Sequence, residues 1–142
     1  ELLPIGSWEV LQNGNDVAIL AVGPMTYLAL EAVEELKKLD ISCEVVNCRF
    51  IKPMDENYLE FMLEKFSSVL TIEEGVRSGG FGEGVLSWLS SNNYKGNSSI
   101  ISLPDKFVEH GPRDLLLEKW GINKEEIIKT VTSFKSSLKT EF

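Results

Sequence analysis

Apolar positions along the chain alternate between strand-like runs and helical spacing. Val17–Val22 is a continuous apolar run, as expected of a central strand buried on both faces. Met25, Leu28, Ala32, Leu36 and Leu39 then recur at helical spacing, while Glu34, Glu35, Lys37 and Lys38 face outward, so a helix is predicted to about Leu39. Gly23-Pro24 breaks the strand before it, with Pro suited to a first helical turn. Asp40 occupies the turn after the helix, and Ser42–Asn47 reads as the next strand. Lys52-Pro53-Met54-Asp55 stops that stretch, and Asp55 is a suitable N-cap for a helix carrying Leu59, Met62, Leu63 and Phe66.

A third buried strand, Val69–Ile72, ends in Glu73-Glu74-Gly75. The glycine-rich loop Ser78-Gly79-Gly80-Phe81-Gly82-Glu83-Gly84 leads into a helix with Val85, Leu86 and Leu89, followed by the polar stretch Ser90–Asn97. Ser99–Leu103 is a fourth strand, Pro104–Gly111 a loop, and Pro112 opens a short helix with Leu115, Leu116 and Trp120. Asn123 caps a last helix, with Glu126 placed as in a capping box and Ile127, Ile128, Val131, Phe134 and Leu138 along its apolar face. Ahead of all this, Ile5–Leu11 contains a short alternating segment, and Asn13-Gly14 is a turn signal, so the first two strands read as a hairpin feeding the sheet. Strands alternating with helices predict a three-layer α/β fold. Its sheet is mostly parallel, of about five strands, with one antiparallel edge strand and right-handed crossovers. Residues 1–142 read as a single domain, with 1–15 as linker and edge strand.

Charge narrows the function. Lys plus Arg number 14 against 22 Asp plus Glu, a net charge of −8. That balance argues against nucleic-acid binding and against docking on anionic membranes. No apolar run is long enough to span a bilayer and no signal peptide is visible, while the start at Glu1 reads as an excised, processed or trimmed chain. Cys43 and Cys48 stand five apart in an extended stretch, an odd offset that puts their thiols on opposite faces, so two buried, reduced thiols are expected rather than a disulfide.

The glycine loop invites a phosphate-binding reading, since glycine lets backbone N–H groups approach an anion at a helix N-terminus. Its spacing fails: G-x-G-x-x-G from Gly80 and Gly82 meets Val85 where a third glycine is needed, and Glu73, Glu74 and Glu83 crowd the loop with negative charge. Close backbone packing is the favoured alternative. Glu73 and Glu74 are neighbours on a strand and point to opposite faces, so they form no carboxylate pair, and one of them can face the loop and accept its N–H groups. Arg49 and Lys52 stand near a strand's C-terminal end, with a salt bridge to Asp55 or to the acidic loop slightly favoured over a functional role. His110, the one histidine, lies in a loop before a helix and reads as structural or interfacial; no metal-ligand spacing is present.

Four stretches carry a resemblance. Arg49-Phe50-Ile51-Lys52-Pro53-Met54-Asp55, Thr71-Ile72-Glu73-Glu74-Gly75, Gly79-Gly80-Phe81-Gly82 and Leu103-Pro104-Asp105-Lys106-Phe107-Val108-Glu109-His110-Gly111 occur in the order and approximate spacing of the C-terminal domain of 1-deoxy-D-xylulose-5-phosphate synthases. The chain resembles that family from about Ile5 to Val131. The first two motifs also recur in transketolase and in β subunits of 2-oxo-acid dehydrogenases; the Gly-Gly-Phe-Gly and Leu-Pro-Asp…His-Gly pair separates the synthases from them. The resemblance implies a parent enzyme that joins pyruvate to D-glyceraldehyde 3-phosphate with release of carbon dioxide, using thiamine diphosphate and magnesium. It implies that upstream domains hold these cofactors and that this domain binds none, because the Gly-Asp-Gly…Asn diphosphate motif is missing here. By the same resemblance the domain supports a homodimer and braces the active-site domains, with no catalytic residue of its own. Arg49, Asp55, Glu73, Glu74, Gly79, Gly80, Phe81, Gly82 and His110 are its expected interface or structural residues, and a bulky side chain at Gly80 is expected to weaken dimerisation or activity. Bacterial cytoplasm or a plastid-type organelle suits the parent. Two rivals stand beside this reading: the C-terminal domain of a 2-oxo-acid dehydrogenase β subunit or transketolase, and a stand-alone small-molecule sensor with a site near the glycine loop.

Overall fold

The computed structural model describes residues 6–49, 53–76, 79–103 and 122–139. Its strands are β1 (Glu9–Gln12), β2 (Val17–Ala21), β3 (Cys43–Asn47), β4 (Ser68–Val76) and β5 (Asn97–Leu103), in one sheet of order β1-β3-β2-β4-β5. β2 to β5 are parallel and β1 runs antiparallel on the edge beside β3. The helices among the described residues are α1 (Met25–Lys38), α2 (Glu56–Lys65), α3 (Phe81–Ser91) and α4 (Lys124–Lys139).

β2 lies at the centre, and all five of its residues are buried. Its period of two divides the core. Val17, Ile19 and Ala21 pack with Leu36 of α1 and with Ile127, Val131 and Phe134 of α4. Ala18 and Leu20 pack on the other face with Leu59 and Met62 of α2 and Phe81, Val85 and Leu89 of α3. The chain moves one way across the sheet from β2 to β3 and the other way from β3 to β4 and β5. The connecting helices change face at that reversal, as crossovers of constant hand require. The three-layer expectation therefore holds, with helices on both faces.

The expected hairpin does not form. β1 is antiparallel and on the edge as expected, but it pairs with β3, through Glu9–Asn47 and Val10–Val46. The Asn13-Gly14 stretch instead carries the chain past β3 to reach β2. Gly14 is needed there for proximity rather than for a left-handed turn: a Cβ at this position would collide with the backbone of Cys43 and Glu44. Three smaller corrections concern boundaries. β4 runs on through Glu73-Glu74-Gly75, α3 begins at Phe81 rather than near Val85, and β5 begins at Asn97 within the stretch read as a turn. Asn123 does cap α4, its Oδ1 accepting from Glu126 N at 2.8 Å. The short helix expected after Pro112 lies outside the described residues.

Cys43 and Cys48 are free, buried and on opposite faces of the sheet. Burial pushes the Cys43 thiol up to about 12 and also raises that of Cys48, so both remain protonated at neutral pH. β3 also buries a charge: Glu44 is 1% exposed. Its carboxylate accepts from Tyr58 Oη at 2.7 Å and from Gly14 N at 3.4 Å, with Lys65 Nζ at 3.6 Å. A buried carboxylate is tolerable only with such partners, and this set ties the β1–β2 connection to both ends of α2. No described helix is long and apolar enough to cross a membrane.

Candidate functional site

The described residues among those singled out from the sequence gather at the C-terminal ends of the parallel strands, the edge where open α/β sheets place their sites. Glu73 is the centre of one group. Its side chain turns to the α2–α3 face, 5% exposed, and accepts from Phe81 N at 3.0 Å and Gly82 N at 2.6 Å. Those N–H groups are two of the donors that a helix leaves unsatisfied at its start. An internal carboxylate thus occupies the position an external phosphate would take. Gly80, the N-cap residue, offers no side-chain cap of its own. Glu83 of the first turn reaches back to accept from Gly79 N at 2.9 Å. Burial raises the Glu73 carboxyl above its ordinary value; the two N–H groups pull it down and Glu83 pushes it up.

Gly82 lets α3 lie against the sheet. A Cβ there would stand 2.6 Å from Oγ1 of the buried Thr71 and 2.9 Å from Cγ2 of the partly buried Ile100, both β-branched side chains with restricted χ1. Gly80 has an extended backbone, φ −82°, that any residue can adopt. Gly82→Ala should cost about 2 kcal/mol through overpacking, read as a lower denaturant midpoint at unchanged m-value. An unchanged midpoint would show that the helix can lift without penalty. Gly79 has φ +69° and open space around its missing Cβ, so there the glycine serves conformation alone.

Arg49 and Asp55 form a second group, which fixes the incoming N-terminal segment. Arg49 donates to Ser7 O at 2.9 Å and lies 3.4 Å from Glu9 Oε1, an ion pair that was not among the expected ones to Asp55 or to the acidic loop. Asp55 accepts from Tyr58 N at 3.0 Å as the α2 N-cap and from Trp8 N at 2.8 Å with its other oxygen. Trp8, held this way, packs edge-on against Phe81, with ring centroids 5.7 Å apart, and tilted against Tyr58, with centroids 6.0 Å apart. Phe81 links the two groups, since its N–H is capped by Glu73 and its ring seats Trp8. Trp8, Tyr58 and Glu44 were not identified from the sequence; a lone carboxylate inside the strand Cys43-Glu44-Val45-Val46 was the available signal for the last. Glu74 is half-buried beside Glu73 on the opposite face of β4. Lys52 and His110 lie outside the described residues.

This edge holds its own chain together. Its anion-binding donors are taken by Glu73, and no group of three or more His, Cys, Asp or Glu among the described residues is arranged to hold a metal ion. A diphosphate does not fit the start of α3.

The family described as "Transketolase, C-terminal domain" matches residues 6–127, which include β1 to β5 and α1 to α3. This chain belongs to that family. Among curated relatives, 1-deoxy-D-xylulose-5-phosphate synthases of Bacillus cereus and Bacillus anthracis are 45% identical over 132 residues, covering 91% of this chain and 21% of theirs. The transketolase C-terminal domain seen here therefore spans about a fifth of the length of those relatives. A solved structure named "Split gene transketolase, inactive beta4 tetramer" superposes with a TM-score of 0.84 at 34% identity, over 92% of this chain and 43% of that one.

Proposed function

We propose that this transketolase C-terminal domain is the C-terminal part of a 1-deoxy-D-xylulose-5-phosphate synthase, and that it contributes assembly rather than chemistry. The carrying observation is the 45% identity to the Bacillus synthases across 91% of the chain. It is joined by a strand edge whose polar groups are spent on internal contacts. In this reading residues 1–142 are one domain, entered through 1–15, and the parent condenses pyruvate with D-glyceraldehyde 3-phosphate. Thiamine diphosphate supplies the carbanion chemistry and magnesium holds its diphosphate in the upstream domains. The parent works as a homodimer in bacterial cytoplasm or a plastid-type organelle.

Within this domain, Arg49 and Asp55 hold the entering segment in place, and Glu73, Phe81 and Gly82 hold α3 on the sheet. Gly79, Gly80, Glu74 and His110 supply contacts to the upstream domains or the partner subunit, on a surface shaped by those internal bonds. A chimera tests the family assignment: this chain replaces the C-terminal fifth of the Bacillus cereus synthase. Formation of 1-deoxy-D-xylulose 5-phosphate from the two substrates is expected at a rate within a few-fold of the parent. A soluble chimera that forms no product, while the same swap into transketolase or a 2-oxo-acid dehydrogenase β subunit retains activity, would move the assignment to that relative.

A further inference from the structure

The opposite edge of the sheet, at the N-terminal ends of β2, β3 and β4, carries a feature that the assembly reading does not use. A cavity of about 170 Å³ opens there. Its walls include the buried apolar side chains of Val17, Ile41 and Phe134. Two opposite charges also line it: Asp16, at the entry to β2, and Lys135, from α4.

Those charges are held by the backbone rather than by each other. Asp16 Oδ2 accepts from Ser42 N at 2.7 Å, and Lys135 Nζ donates to Asp40 O at 3.1 Å. Among the described residues neither meets an opposite charge within 4.0 Å. They nevertheless act on one neighbourhood, since Asp16 raises the thiol of Cys43 and Lys135 lowers it. Lys65, also on the wall, is committed to Glu44 at 3.6 Å and lies over the Phe61 and Phe66 rings. An ammonium with free donors and a carboxylate with a free oxygen thus flank an apolar surface and do not close on one another.

We infer that this cavity binds a small metabolite with an anionic group at one end and a hydroxyl or ammonium donor at the other. Lys135 takes the anion, Asp16 accepts from the donor, and Val17, Ile41 and Phe134 cover the short carbon body. The volume lies below the roughly 300 Å³ at which drug-sized ligands begin, which restricts the ligand to a few carbon atoms. This inference does not rest on the synthase reading: the residues and the edge are different.

Titration of the 142-residue chain, followed by amide and methyl NMR, tests it. D-glycerate represents the hydroxy acids and L-serine the amino acids. Propionate, which lacks the donor, and ethanolamine, which lacks the anion, serve as half-ligands. Saturable shifts are expected at Val17, Ile41 and Phe134 with glycerate or serine, with at least ten-fold weaker binding of both half-ligands. Lys135→Gln and Asp16→Asn should each weaken the better ligand at least ten-fold; the asparagine keeps the oxygen that accepts from Ser42 N, so the fold is retained. Binding of serine without glycerate assigns an ammonium donor, and binding of glycerate, with or without serine, assigns a hydroxyl, which both ligands carry. No saturable shift with either full ligand, half-ligands that bind equally well, or variants that bind like the wild type would each overturn the inference.

Discussion

Glu73→Ala should lower the unfolding free energy by about 3 kcal/mol. The substitution leaves Phe81 N and Gly82 N without their acceptor in a buried setting, and each orphaned donor costs about 1–3 kcal/mol. For a chain of this size the loss corresponds to a drop in Tm of about 10 °C. Glu73→Gln keeps one carbonyl acceptor and turns its NH2 toward the other N–H, so it should cost about half as much, with one donor satisfied and one orphaned. The pair also separates in pH. Burial holds the Glu73 carboxyl above its ordinary value in the folded chain, so the folded state binds this proton more readily than the unfolded state. The contribution to stability is then greatest below the ordinary carboxylate range and is lost as pH rises through the raised value. Glu73→Gln removes this titration. The wild type should therefore lose stability relative to the glutamine variant as pH rises through that window, measured by urea unfolding across acid to neutral pH. A difference that stays flat with pH would mean that Glu73 is not the buried cap described.

Gly14→Ala should be at least as damaging, at about 3 kcal/mol, the upper end of the usual cost of overpacking. The added methyl meets the backbone of Cys43 and Glu44, which cannot rotate away. Relief requires the β1–β2 connection to lift from β3, which breaks the Gly14 N contact to Glu44 and the Asn15 N bond to Ser42 Oγ. Because that connection delivers β1 to its edge position, the loss should extend to the β1–β3 ladder. Hydrogen exchange would report it as faster exchange at Val10 and Val46, which pair across that ladder. Wild-type protection in the alanine variant would refute the close approach.

These two residues also mark how far the sequence could be read. The role of Glu73 was legible in part: strand alternation sets it apart from Glu74, and a carboxylate beside a glycine loop can accept its N–H groups, but nothing local says which of the two turns inward. The central strands and the Asp55 and Asn123 caps were legible because each is a local pattern with a local cause. Gly14 was legible as a special position but not for the right reason. Asn-Gly is a strong hairpin signal, yet the pairing of β1 with β3 is set by contacts roughly thirty-five residues away along the chain, which no local turn rule records. The start of α3 was misplaced because Gly82 and Gly84 are poor helix formers taken alone; packing on Thr71 and Ile100, together with the Glu73 cap, outweighs that preference. The clamp of Trp8 between Asp55, Tyr58 and Phe81 joins three separate segments and has no signature within any one of them.

The role proposed for this domain is assembly of its parent rather than chemistry. Sedimentation of the parent's upstream domains, alone and with this chain supplied, tests it most directly when paired with product formation on the same samples. Addition of the chain should shift the upstream domains to a dimer containing two copies of each part and raise product formation in proportion to the dimer formed, with no further change in rate per dimer. Upstream domains that dimerise and turn over equally well without this chain would contradict the account.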